Sequence, residues 1–124
     1  MTDSILTSIK KLLGIVESDT SFDAELIMLI NSALMVIMQE WYGVDHAFRI
    51  EGKSETWEDF LGETETDYEG LKQYIFLRVK MVFDPPTNSS VIEAMKKEME
   101  DLEWRMYIWK DNLRLDSTEQ EQKG

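Results

Sequence analysis

The chain has 124 residues with 25 acidic and 13 basic side chains, a formal net charge of -12, and no cysteine. One globular domain is expected, because 43% of the residues are hydrophobic and 31% are charged. This negative charge argues against nucleic-acid binding, which needs an excess of Lys and Arg. The missing thiols exclude a disulfide framework and thiolate chemistry.

The first two helices are predicted from apolar spacing and their flanking residues. Apolar residues recur at helical spacing from Ile5 to Leu13, behind Ser4 as a cap and before Gly14 as a stop. After a polar turn, a long second helix is predicted from Phe22 to Tyr42, closed by a glycine. Apolar residues cover most of its circumference, which predicts deep burial or burial on two sides.

The segment 44–62 has a different pattern. Phe48 and Ile50 alternate with charged residues, and a glycine and a lysine at 52–53 are typical of a turn. An aromatic stretch follows at 57–62. These features predict a small strand or hairpin excursion and then a tight aromatic turn.

A capping box, Thr66 with Glu69, predicts a third helix from about Asp67 to Phe83. The sequence Asp84-Pro85-Pro86 then stops it, because two successive prolines cannot continue a helix. The connection to the next helix is short. The third and fourth helices are therefore predicted to form an antiparallel αα-hairpin.

The fourth helix is predicted from a second capping box, Ser90 to Glu93, to about Lys110. After Leu115 the sequence is polar, so residues 113–124 are predicted to be a flexible tail in the free protein. One seam of this helix is apolar at spacings of three and four: Ile92, Met95, Met99, Leu102, Met106 and Trp109. Three further apolar residues lie off the seam and are predicted to contact another subunit: Trp104, Tyr107 and Ile108.

Together these elements predict an all-α fold. Residues 1–112 would form a four-helix bundle-like domain with a C-terminal αα-hairpin and a small β-excursion between helices 2 and 3. The N-terminus lacks the pattern of a signal peptide, and the longest apolar stretch, 26–38, is shorter than the roughly 20 residues of a membrane helix. No membrane partner is expected.

The motifs that carry chemistry are incomplete. His46 is the only histidine, so a surface or turn role is favoured over catalysis. Residues 52–54 resemble the end of a phosphate-binding loop, but Ala47 stands where that loop needs glycine. Residues 65–70 imitate the start of a calcium-binding loop, yet Phe76 occupies the position of its bidentate acid. We therefore predict no enzyme, no cofactor and no metal.

Several stretches resemble the head-tail connector proteins of long-tailed bacteriophages. The resemblance covers roughly residues 4–108, in the right order, and includes a capped second helix. It is carried by Ser4 to Ile15, by Trp57-Glu58-Asp59-Phe60-Leu61-Gly62, and by Val79 to Arg105 around Asp84-Pro85-Pro86-Thr87-Asn88.

This resemblance implies a virion structural protein at the head-tail junction, assembled in the cytoplasm of the bacterial host. Such proteins, also called adaptors or head-completion proteins, form a homo-oligomeric ring beneath the portal protein, here expected to be dodecameric. They continue the DNA channel to a stopper protein and the tail, and DNA passes without specific binding. The candidate subunit or partner contacts are Phe48, Ile50, Trp57, Phe60, Trp104, Tyr107, Ile108, Leu113 and Leu115.

Within such a ring, the resemblance implies places for three parts of the chain. The second helix and the hairpin would form the body and the subunit contacts. The 44–62 excursion would lie at a rim facing the next ring. The tail from Leu113 would order against the portal.

Two other functions remain open from the sequence. An acidic phage-encoded inhibitor could mimic DNA and bind a host protein, but the fourth helix mixes Lys96, Lys97 and Arg105 among its acids. An enzyme with unfamiliar chemistry would need a concave site with perturbed acids. The net acidity suits a channel through which DNA slides, and it equally suits simple solubility.

Overall fold

The computed structural model describes residues 3–42, 48–61 and 68–123, with side chains at 3–40, 48–61 and 69–108. These ranges contain helices and no strand, so the predicted all-α class is confirmed and the predicted β-excursion is not seen. The helices are α1 (Ile5–Leu13), α2 (Asp23–Ile37) with a π-helical turn (Met38–Tyr42) at its end, α3 (Trp57–Leu61), α4 (Tyr68–Phe83) and α5 (Ser89–Lys123).

Helix α1 has the bounds that its sequence predicts. The Ser4 hydroxyl accepts a hydrogen bond from the Thr7 amide at 3.2 Å, which satisfies one of the free amides of the first turn. At the other end Gly14 has a φ of 80°, and its amide donates to Lys11 O at 3.1 Å. A glycine fits there because this left-handed conformation crowds any side chain.

Helix α2 lies at the centre of the described fold and packs against both α1 and α4. One face is fully buried through Leu26, Ile30, Leu34 and Ile37. The Phe22 ring at its start meets the Phe83 ring at the end of α4, with centroids 5.3 Å apart. The two helices therefore run antiparallel.

The predicted αα-hairpin is formed by α4 and α5, which pack against each other and are connected by the chain reversal at 84–88. Because both α2 and α5 are antiparallel to α4, they run parallel to each other. Helix α5 also packs against the π-helical turn. Helix α4 is described from Tyr68, and its predicted first residue, Asp67, lies outside the described residues together with Thr66 of the capping box.

The start and end of α5 differ from the prediction. Asn88 is the cap, because its side-chain oxygen accepts from the amides of Ser90 at 2.8 Å and Val91 at 3.4 Å. The predicted capping box at Ser90 is therefore wrong, since Ser90 already lies inside the helix. The helix continues to Lys123 instead of ending near Lys110. Flexibility of the tail stays a prediction.

The predicted apolar seam of α5 faces α4 where side chains are described. Met95, Leu102 and Met106 are buried. Ile92 and Met99 are half-buried, and Met99 packs against the core. The Trp109 side chain lies outside the description. The spacing of three and four thus identifies the face of α5 that joins the core.

Residues 48–56 are irregular, and their pairing explains why they imitate a strand. The Ile50 amide donates to Asn31 Oδ1 at 2.8 Å, and Asn31 Nδ2 donates to Ile50 O at 2.9 Å. A side-chain amide on α2 thus makes both hydrogen bonds that a neighbouring strand would make. The alternation of apolar and charged residues in this segment indicates that one of its faces is buried. Its hydrogen-bond partner is a side chain of helix α2 and not a strand.

Candidate assembly surfaces

The described part of the 48–61 segment is anchored to α1. Ser4 and Thr56 form an isolated antiparallel bridge, in which the Trp57 amide donates to Asp3 O at 3.2 Å. The Trp57 indole N–H donates to Ser8 Oγ at 3.1 Å, and the Ser8 hydroxyl donates to Ser4 O at 2.7 Å. These bonds hold the segment against the N-terminal helix.

Helix α3 begins with a capping box that sequence reasoning missed. The Asp59 amide donates to the Thr56 hydroxyl at 3.1 Å, and the Thr56 amide donates to Asp59 Oδ2 at 2.9 Å. The preceding turn is closed by the Glu55 carboxylate, which accepts from the amides of Glu51 at 2.8 Å and Gly52 at 3.3 Å. The pattern Thr-x-x-Asp was the available signal.

The candidate contacts on this segment divide into two pairs. Ile50 and Trp57 have no exposed surface, so they can reach a partner only if the subunit opens. Phe48 and Phe60 are half-buried, and their rings lie 5.2 Å apart between centroids. This second pair leaves part of an aromatic surface at the edge of the subunit.

The candidate contacts on α5 lie on the surface and form the aromatic patch: Trp104, Tyr107 and Ile108. Trp104 is 62% exposed, and its ring stacks on Tyr107 with centroids 5.7 Å apart and planes 17° apart. Glu100 and Glu103 line the shallow depression beside these rings. The side chains of the remaining candidates, Leu113 and Leu115, lie outside the described residues.

A second apolar surface, the methionine strip (Met28, Ser32 and Met35), runs along α2. Met28 is 61% and Met35 is 54% exposed. Ser32 is also exposed, and its hydroxyl donates to Met28 O at 3.1 Å. No charged residue occurs between Glu25 and Glu40. The apolar circumference of α2 predicted deep burial or burial on two sides, and among the described residues the side that carries the methionine strip is exposed.

Charge inside the fold is concentrated at Lys10 of α1, which is 3% exposed. Its ammonium donates to Glu17 O at 3.0 Å and to Asp19 O at 2.8 Å, and it lies 2.9 Å from Asp23 Oδ1. That buried oxygen accepts no other hydrogen bond within the described residues, so Lys10 is its partner. The ammonium is thus surrounded by oxygen on the turn between α1 and α2.

Two side chains, those of Asp19 and Tyr74, have pKa values that differ from their ordinary values. Hydrogen bonds from Ser21 lower the pKa of the Asp19 carboxyl, and the charge of Lys10 adds to this effect. Burial raises the pKa of Tyr74 on α4. The Tyr74 hydroxyl also donates to Glu103 Oε1 at 3.0 Å and accepts from Arg78 at 3.2 Å. The Asp19 shift belongs to a contact within the α1–α2 turn, whereas the Tyr74–Glu103 bond joins α4 to α5.

Two further features concern ions and membranes. In the described ranges, no group of three or more His, Asp or Glu side chains is placed to hold a metal ion. Nor does any helix there combine the length and apolar character needed to cross a bilayer.

The described residues define a small helical protein with exposed apolar helix faces, and contiguous faces of this kind mark interaction sites. The family model described as phage connector protein matches residues 5–112. The chain therefore belongs to the phage connector family. No curated protein and no solved structure matches it. Membership gives the chain a structural role in the phage particle, in contact with other head or tail proteins.

Proposed function

We propose that the chain is the ring-forming adaptor between the portal protein and the stopper or tail of a phage. Identical subunits assemble in the host cytoplasm, and the ring, a dodecamer that matches the portal, is retained in the virion. Its channel continues the path of the DNA from the portal. The ring has no catalytic site, and DNA passes through it without specific binding.

One observation carries this proposal: a subunit with a well-packed core leaves two apolar helix faces open. Met28, Met35 and Trp104 are each more than half exposed on the surfaces of α2 and α5. A protein of this size buries only about two-thirds of its unfolded surface, and contiguous exposed apolar patches mark interaction sites. Repeated contacts between identical subunits would cover both faces.

The edge near Phe48 and Phe60 is proposed to face the next ring along the tail. Its backbone is fixed by the bonds to α1 and to Asn31, so its half-buried aromatic pair is presented by a rigid frame. The segment from Leu113, at the far end of α5, is proposed to dock on the portal. These two contacts place the portal and the stopper on different parts of the subunit.

The net charge of -12 supports a channel role. Phosphates are repelled by an acidic wall, and lasting contacts with DNA need many Lys and Arg side chains. A ring of such subunits lets DNA slide without being held.

The test is the mass of the complexes formed with the portal protein of the same phage, measured by native mass spectrometry. The expected result is a closed ring of the chain bound to the portal. The full chain carrying Leu113→Asp and Leu115→Asp should bind the portal more weakly. A chain that stays monomeric with and without portal would contradict the proposal, and tight binding to a host DNA-binding protein instead would support the acidic inhibitor.

A further inference from the structure

We propose that neighbouring subunits meet head to tail, with the aromatic patch of one copy seated on the methionine strip of the next. The proposal rests on the ring function proposed above and deepens it by naming the two faces that meet. Its partner is a second copy of this chain.

A ring constrains the type of contact. A two-fold contact uses the same patch on both copies and closes at a dimer, whereas a ring needs two different patches on each subunit. The described structure offers two such patches on separate helices, α2 and α5, which both pack against α4 and run parallel to each other. A subunit can therefore contact one neighbour through α2 and the other through α5.

Both patches point away from the core. On α2 each residue turns the helix by about 100°, which puts Met28 and Met35 on a line opposite the buried Ile30 and Ile37. On α5 the same rotation puts Trp104 opposite the buried seam. Neither patch is covered by the subunit's own described residues, as their exposure shows.

Charge selects the pairing. Glu100 and Glu103 line the depression beside Trp104 and Tyr107. If two aromatic patches met about a two-fold axis, four carboxylates would be brought together and would repel one another. The methionine strip carries no charge along its length, so the carboxylates can remain at the rim of a contact with it.

The side chains of the two patches are chemically complementary. Methionine is flexible, and its sulfur makes favourable contacts with aromatic rings. Met35 lies seven residues after Met28, so the strip is about 10.5 Å long. The flexible methionine side chains can adopt rotamers that pack against the stacked Trp104 and Tyr107 rings.

The test uses two full-length variants and their mixture. One variant carries Met28→Glu and Met35→Glu, and the other carries Trp104→Glu. Each alone is expected to lose association by roughly a hundredfold, because a charge is placed in an apolar contact. Mixed together, they retain one intact face each, so they should form a 1:1 complex that does not grow. Sedimentation, with and without portal, measures the masses.

Matched controls are Val16→Glu and Val82→Glu, which change apolar residues that are 68% and 67% exposed elsewhere on the subunit. They should assemble as the wild type does. Circular dichroism checks that every variant is folded. Since the chain has no cysteine, a second measurement uses Met35→Cys and Tyr107→Cys on separate chains, which should give a mixed disulfide dimer on oxidation.

The outcomes separate this inference from the ring function. If the methionine variant still dimerises alone and the mixture gives no new complex, the aromatic patches pair with each other and the inference is wrong. If all the variants assemble like the wild type, the ring function stands and these faces are not its contacts. If the wild type itself never associates, the ring function fails and the inference fails with it.

Discussion

Lys10 shows how a charged side chain can be enclosed when every donor has a partner. Its three ammonium contacts are two backbone oxygens of the α1–α2 turn and the carboxylate at the start of α2. Each contact replaces water that burial removes. The turn between α1 and α2 is therefore folded around the lysine, and its shape depends on that one side chain.

Lys10→Met keeps the aliphatic stem and removes the ammonium. The Asp23 carboxylate and two carbonyl groups then lose their partner, which should lower the free energy of unfolding by about 2–4 kcal/mol. Urea denaturation measures the change. The control is Lys11→Met at the exposed neighbouring position, which should stay within about 0.5 kcal/mol of the wild type. An equal decrease in the free energy of unfolding of both variants would show that the buried contacts of Lys10 do not stabilise the fold.

Tyr74 makes a pH-dependent contribution to the stability of the α4–α5 hairpin. Because burial raises its pKa, the hydroxyl stays protonated in the folded chain at pH values where an unfolded tyrosine, with an ordinary pKa of 10.0, ionises. The contribution is complete below about pH 10 and is lost as the pH rises from there through the folded-state pKa. Tyr74→Phe should cost about 1 kcal/mol near neutral pH and show a weaker decline above about pH 10.

Urea denaturation from about pH 8 to pH 11 tests this expectation. Tyr107→Phe, at an exposed tyrosine of α5, is the control for loss of a hydroxyl and should change stability by less than about 0.5 kcal/mol near neutral pH. An alkaline decline that is as steep in Tyr74→Phe as in the wild type would refute the assignment.

At the scale of elements, the cap of α5 decides where the hairpin turns. Asn88→Ala removes the oxygen that accepts from two amides of the first turn, and should destabilise the fold by about 1 kcal/mol. Ser90→Ala should be nearly neutral, since Ser90 lies inside the helix. Thermal unfolding compares the two variants. The reverse order of effects would restore Ser90 as the cap.

The helices could be predicted because their signals are local. The seam of α5 and the bounds of α1 follow from apolar spacing and from adjacent caps. The segment 48–56 could not be predicted in the same way, because its hydrogen-bond partner, Asn31, is far away in sequence. Alternation reports which face is buried, and it does not say whether a strand or a side chain supplies the partner.

The candidate surfaces were predictable to different degrees. Trp104 and Tyr107 lie off the seam of a well-patterned helix, so their exposure could be anticipated. Trp57 was a candidate contact because it lies in the 44–62 excursion, but its indole donates to Ser8 on α1, a contact that only the tertiary fold supplies. The methionine strip emerged only once the core-facing side of α2 was known, because almost the whole circumference of that helix is apolar.

At the scale of the whole molecule, the net charge of -12 opposes every contact between copies. Apolar faces must therefore overcome a repulsion that salt screens. Raising sodium chloride from about 50 mM to about 500 mM should strengthen self-association, as measured by sedimentation. Glu100→Gln should reduce this dependence, because it removes a carboxylate beside the aromatic patch. Weaker association at high salt would indicate that ion pairs hold the subunits together.

The polar bonds among α1, α2 and the segment 48–57 have a mechanical consequence. They join the three parts in pairs: Lys10 to Asp23, Asn31 to Ile50, and the bridge of Ser4 with Thr56. Because each of the three parts is bonded to the other two, none can slide past its neighbours unless one of these sets of bonds breaks. A load on the edge near Phe48 is therefore shared between two helices. The helix that presents the methionine strip is therefore expected to keep its orientation when a force acts on that edge.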